Sequence, residues 1–258
     1  MKQPVVIFGI GELGGVFARG FLRLGHPVYP LIRNSDPQAE ADALPDPALA
    51  LVAVAEGDLQ PVLKTVPAAW RGRAALLQNE LLPADWQRER LHEPTVICVW
   101  FEKKPGREAR VILPSPVFGP GAALIRDALA TMDIPARVLD DPDDLLFELV
   151  RKNVYILTTN VAGLVTGGTV QDLWGQHQPL AREVAAEVVE LQGHLTGRTL
   201  DTEALVAGMV EAFEGDPEHR CTGRSATARL ARALAIAEEA GLEVPRIREI
   251  ADTHLPKD

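Results

Sequence analysis

Pro4-Val5-Val6-Ile7-Phe8-Gly9-Ile10-Gly11-Glu12-Leu13-Gly14-Gly15 is the stretch that decides how the chain is read. An apolar run of strand length ends at Gly9. Gly9, Gly11 and Gly14 then take the G-x-G-x-x-G spacing just as a helical pattern begins through Phe17, Phe21, Leu22 and Leu24. Such a turn uses its glycines for physical reasons. One adopts a backbone angle that a side chain forbids, one lets a pyrophosphate approach the main chain, and one lets helix and strand pack closely. The phosphates then meet the free N–H groups of the helix N-terminus. With a strand before it and a helix after it, the motif marks Gly9, Gly11, Glu12, Leu13 and Gly14 as candidate cofactor-binding residues. The competing reading is a strand-turn-helix that binds nothing.

Working outward, 258 residues with 47% hydrophobic composition give two domains of ordinary size with ample core. No signal-peptide pattern precedes the first strand, and no apolar stretch reaches the ~18 residues of a membrane span, so a soluble, cytoplasmic protein is expected. A net charge of −10 argues against a broad nucleic-acid surface and leaves an anionic cofactor to a locally basic pocket. Cys98 and Cys221 form no disulfide framework or metal spacing, and His177, His194, His219 and His254 lack ligand spacing as well. His92-Glu93 is not followed by the second histidine of a zincin, and no G-x-S-x-G elbow occurs, so metal and serine-hydrolase chemistry are set aside.

After the first helix, Gly25-His26-Pro27 stops it and residues 28–32 read as a second strand ending at Arg33-Asn34-Ser35. An acidic residue here would accept hydrogen bonds from the ribose of NAD, whereas an arginine suits the 2′-phosphate of NADP(H). Arg33 therefore selects NADP(H), with Asn34 and Ser35 as further donors; the alternative is a solvated arginine at a strand end. Residues 36–48 read as loop or a very short helix, and residues 48–55 as a buried parallel strand. Residues 74–77 make the next strand, with Asn79 at its C-terminal end, the edge where open parallel sheets bind ligands. Residues 95–102 and 108–113 flank Lys103-Lys104-Pro105-Gly106-Arg107 as a hairpin whose basic turn is a solvated tip, or else a patch for a partner. Pro114, Pro116 and Pro120 punctuate the exit, residues 124–132 are helical and residues 134–139 a last strand.

The acidic run 140–144 marks a change of character, favouring a helix N-terminus ahead of about twenty helix-patterned residues closed by Gly167-Gly168. Three more helices follow: one ending between Gly193 and Gly197, one capped by Asp201 or Thr202, and one stopped by Gly241. The expected class is α/β: an N-terminal Rossmann dinucleotide-binding domain with a mostly parallel sheet over residues 1–139, then an all-helical domain over 140–258.

This order of parts resembles the ketopantoate reductase family, within the 6-phosphogluconate dehydrogenase-like reductases. The likeness spans nearly the whole chain. It rests on residues 9–15, on Gly25-His26-Pro27-Val28 with Arg33, on Leu77-Gln78-Asn79-Glu80-Leu81 and on the closing Gly241-Leu242-Glu243-Val244-Pro245. The resemblance implies an NADPH-dependent reduction of a small 2-keto acid or related carbonyl, Asn79 beside the nicotinamide, and a helical domain that serves the substrate and a homodimer. It also implies a lysine with an asparagine four residues later on the first helix of that domain, the lysine acting as general acid. Here Leu149 and Asn153 fall at those places in the ungapped register, with Phe147 at the family's tryptophan. A shift of three puts Lys152 on the lysine and Asn160 on a second family asparagine. One helical turn separates Leu149 from Lys152, so Lys152 is the general-acid candidate, with Asn153 and Asn160 as substrate-binding candidates. Glu80 stands at a family glycine, Ala55 at a family lysine, and no carboxylate lies in residues 225–229 where the family has a glutamate. These departures motivate a second reading: an NADP(H)-binding sensor or interaction protein without catalysis.

Overall fold

The structure is a computed structural model that describes residues 2–256. Its first half alternates short strands and helices: β1 (Val5–Phe8), α1 (Glu12–Arg23), β2 (Val28–Leu31), α2 (Pro37–Ala43), β3 (Leu49–Val52), α3 (Leu59–Thr65) and β4 (Ala74–Leu76). There follow α4 (Pro83–Gln87), β5 (Thr95–Ile97), β6 (Phe101–Glu102), β7 (Arg110–Val111), β8 (Ser115–Phe118), α5 (Ala122–Ala130) and β9 (Ala136–Val138). The rest is helical: α6 (Pro142–Thr166), α7 (Val170–Gln176), α8 (Gln178–Thr196), α9 (Thr202–Gly215), α10 (Ala226–Ala240) and α11 (Pro245–His254). The expected α/β class with an all-helical second half is the one observed. Two compact units result, one ending at Glu148 and the next beginning at Leu149.

In the first unit a seven-stranded sheet runs in the order β2-β1-β3-β4-β5-β8-β9, parallel except where β5 meets β8. β1 therefore has β2 on one side and β3 on the other, so the chain changes direction around it. In doubly wound sheets the crevice at such a switch point, beyond the C-terminal strand ends, is where ligands bind. Val5 to Phe8 are all buried, because helices cover both faces of the sheet. Val5 and Ile7 join the core built with Phe17 and Phe21 of α1 and Ile125 and Leu129 of α5. Phe8 belongs to the opposite face, where it meets Trp70 edge-on at 6.0 Å between centroids. β2 is an edge strand, and this is why it tolerates Pro30.

Two features of this unit differ from the sequence reading. The strand expected over residues 95–102 is divided. Residues 95–97 join the main sheet, while Phe101 and Glu102 pair with Val111 and Arg110 in a separate two-stranded hairpin. The prolines after it do not merely punctuate, because Pro116 lies inside β8. Cys98 donates its N–H to Pro116 O at 2.9 Å, and Ser115 and Val117 make the bonds on the β9 side, so one absent N–H leaves the strand intact.

In the second unit the stops fall where the glycines stand, with Gly167, Gly168, Gly197 and Gly241 all at positive φ. Asp201, of the two capping candidates, caps α9 by accepting from Ala204 N at 3.0 Å. Glu187 of α8 is buried and accepts the N–H groups of Arg246 and Ile247 at 2.7 and 2.8 Å, so a carboxylate from one helix closes the first turn of α11.

Candidate dinucleotide site

Gly9 follows β1 with φ +86°, and a Cβ there would lie 2.8 Å from Ala53 O. A Cβ on Gly14 would lie 2.2 Å from Gly9 O. Both glycines are thus demanded by the turn itself, one by its backbone angle and one by the approach of α1 to the end of β1. Gly11 is different. Its φ of −68° suits any residue, and a Cβ would meet nothing within 4 Å. Gly11 caps α1 without a side-chain hydrogen bond, and Gly15 N closes onto Gly11 O at 2.8 Å. The first turn of α1 is thus left without a capping side chain, so its N–H groups are the donors a pyrophosphate would use.

Three further loops leave the same C-terminal edge of the parallel strands. Gly9 N donates to Leu31 O at 2.9 Å, fixing the glycine turn to the end of β2. There Ile32 and Ser35 close a turn on each other, through Ser35 N to Ile32 O at 2.9 Å and Ile32 N to Ser35 Oγ at 3.0 Å. Arg33 and Asn34 occupy its exposed tip. At the end of β3, Ala53 N bonds Phe8 O at 2.8 Å, and Ala55 is exposed. After β4, the buried Gln78 accepts from Leu77 N at 3.1 Å and donates to Val52 O at 2.7 Å and Val54 O at 3.3 Å. Gln78 so holds its loop against β3 and leaves Asn79 exposed. A polar residue directly behind an apolar strand was the one sequence signal for this positioning role.

Glu80 takes φ +57°, the left-handed region in which a side chain is strained. Glu80→Gly is expected to raise unfolding stability by up to about 1 kcal/mol by removing that strain, read as a higher urea midpoint; an unchanged or lower midpoint contradicts it.

The basic hairpin turn is a solvated tip over Lys104 to Arg107, as read, but Lys103 departs from it. Lys103 Nζ lies 3.1 Å from Glu12 Oε2, at the first residue of α1, and its side chain is only 11% exposed. Aromatic packing brings it there, since Phe101 of β6 sits with its ring centroid 6.2 Å from that of Phe17.

In the helical unit, Leu149 is 3% exposed. Lys152 is half-buried, with Nζ 5.7 Å from the centre of the Tyr155 ring. The Tyr155 ring also meets that of His219 in a tilted contact, 6.0 Å between centroids, and His219 Nδ1 lies 3.6 Å from the buried Asp216. Asn153 is buried and donates to Gln192 Oε1 at 2.9 Å; Asn160 Oδ1 accepts from Arg229 at 3.0 Å. Burial, reinforced by Asp172, pushes the Cys221 thiol up to about 11, which keeps it protonated at neutral pH. Among the described residues, no three His, Cys, Asp or Glu side chains are grouped to hold a metal, and no helix is long and apolar enough to cross a membrane.

A sheet with a glycine turn at its switch point followed by a helical unit defines the class of two-part dinucleotide-fold proteins. Within that class, the chain has the fold of the ketopantoate reductases. It superposes on the PanE/ApbA family ketopantoate reductase of Ralstonia eutropha JMP134 with a TM-score of 0.66 at 17% identity, over 97% of both chains. For the 2-dehydropantoate 2-reductase of Methylococcus capsulatus the TM-score is 0.69 at 11% identity, over 97% of this chain and 95% of that one. D-mandelate dehydrogenase, solved as a complex with NADH, gives 0.63 at 12% identity over 97% of both. No family model matches the sequence, and no curated protein matches it either.

Proposed function

We propose that the chain is an NADPH-dependent reductase of a small 2-keto acid or related carbonyl. The strand-turn-helix with Gly9, Gly11 and Gly14 at the sheet's switch point carries the reading, and the open space at Gly11 leaves room for a group bound against the turn. The residues fit that group, with N–H donors at the turn and a guanidinium at the end of β2. Bound NADPH supplies a hydride to the carbonyl carbon. The turn from Gly9 to Gly14 binds the pyrophosphate, Arg33 and Asn34 hold the 2′-phosphate, and Asn79 orients nicotinamide and carbonyl. Lys152 gives its proton to the oxygen as alkoxide charge develops, and Asn153 and Asn160 serve the substrate side. The protein then acts in the cytoplasm, and the helical half supports a homodimer.

The test is a titration with NADPH and NADH followed by NADPH oxidation across a panel of 2-keto acids. Arg33→Ala is expected to weaken NADPH by about tenfold to a hundredfold, the scale of one charge-assisted contact, and to leave NADH unchanged. Tight NADPH binding with no turnover of any carbonyl would overturn the reductase. It would favour the second reading, a non-catalytic NADP(H)-binding protein, which the buried Leu149 at the lysine's ungapped place supports.

A further inference from the structure

The ion pair between the hairpin and the glycine turn is unusual in its electrostatics. The N-terminal end of α1 already carries roughly half a positive charge, and an ammonium beside it is misplaced unless anions answer. Glu12 supplies one carboxylate, itself 44% exposed. The sum of helix end, Lys103 and Glu12 remains positive. The lysine is also held: its Nζ bonds Glu12 Oε2 at 3.1 Å and Lys104 O at 2.8 Å, and the hairpin that bears it is packed on α1 through Phe101 and Phe17. Two of three ammonium donors are thereby used, and the third is left for another oxygen. Lys104, the next residue, is paired instead with Glu102 at 3.0 Å and is 56% exposed, so only Lys103 is directed to the turn.

We propose that Lys103 is a phosphate ligand of the cofactor: Glu12 holds its ammonium at the N-terminal end of α1, where the third N–H donates to the pyrophosphate. This rests on reading the turn as a dinucleotide site. Glu12 then acts as a positioning residue, and its own charge is masked from the phosphates by the lysine.

The test is a fluorescence titration of wild type, Lys103→Met, Lys103→Arg, Glu12→Gln and the double variant with NADPH and with NADH, with urea midpoints measured alongside. Lys103→Met is expected to weaken both cofactors alike, by about tenfold, because both contain the pyrophosphate. Arg33→Ala, in contrast, affects NADPH alone. Lys103→Arg is expected to retain most of the affinity. Glu12→Gln is expected to weaken binding far less than Lys103→Met, since removing a carboxylate beside the phosphates offsets the looser lysine. Equal losses for Glu12→Gln and Lys103→Met would show a purely structural ion pair and overturn the proposal, as would unchanged affinity in Lys103→Met. If Lys103→Met does not fold, Lys103→Gln replaces it under the same criteria. A wild-type protein that binds neither cofactor refutes the dinucleotide reading itself, a distinct outcome.

Discussion

Gly14→Ala is expected to abolish NADPH binding and to lower unfolding stability by about 3 kcal/mol, at the upper end for overpacking a close contact. The new Cβ would stand 2.2 Å from Gly9 O and 3.4 Å from the Ala53 Cβ. The first of these is backbone, so no rotamer relieves it. Either the turn opens or α1 moves off β1, and α1 cannot move freely because Phe17 and Phe21 are fully buried in the core. Gly11→Ala is the informative control. Its Cβ meets nothing in the chain, so the urea midpoint should stay near wild type while NADPH affinity falls steeply. Loss of stability in both variants, or NADPH binding retained in Gly11→Ala, would remove the ligand-based explanation of that glycine.

Lys152→Ala is expected to lower kcat by about 10²–10⁴, the usual worth of a positioned general acid, with the NADPH dissociation constant unchanged. The lysine is half-buried and its ammonium rests near the Tyr155 ring, an arrangement that restrains the side chain. Leu149 offers no substitute, being apolar and 3% exposed. Turnover and affinity measured on the same preparations separate the outcomes. Unchanged kcat takes Lys152 out of the mechanism, and parallel loss of kcat and NADPH affinity makes it a cofactor contact.

Local rules made much of the fold legible. The glycine turn, the run at residues 48–55 and the glycine stops of the helical half each depend on neighbours in sequence, and each stands close to where it was read. Strand order did not follow, because β3 pairs beside β1 across more than forty residues and nothing local encodes that choice. β8 was hidden by Pro116, whose interior place depends on hydrogen bonds made by Ser115 and Val117 to a distant strand. In the candidate site, Gly9 and Gly14 were readable from spacing, because the turn itself demands both. Lys103 was not: a Lys-Lys-Pro-Gly turn looks solvated until the packing of Phe101 on Phe17 places it beside Glu12. Gln78 is not legible beside Asn79, since its partners are Val52 at the end of β3 and Val54 in the loop after it.

β2 has a neighbour on one side only, and its Tyr29 and Pro30 are exposed. The turn bearing Arg33 and Asn34 thus hangs from an edge strand of the sheet and closes through its own Ile32 and Ser35. Mutations there can accumulate without disturbing the core. On the proposed cofactor reading, substitutions at Arg33 and Asn34 alter the preference between phosphorylated and unphosphorylated dinucleotides while leaving the backbone contacts of Gly9 with Leu31 and Ala53, which hold the glycine turn, in place.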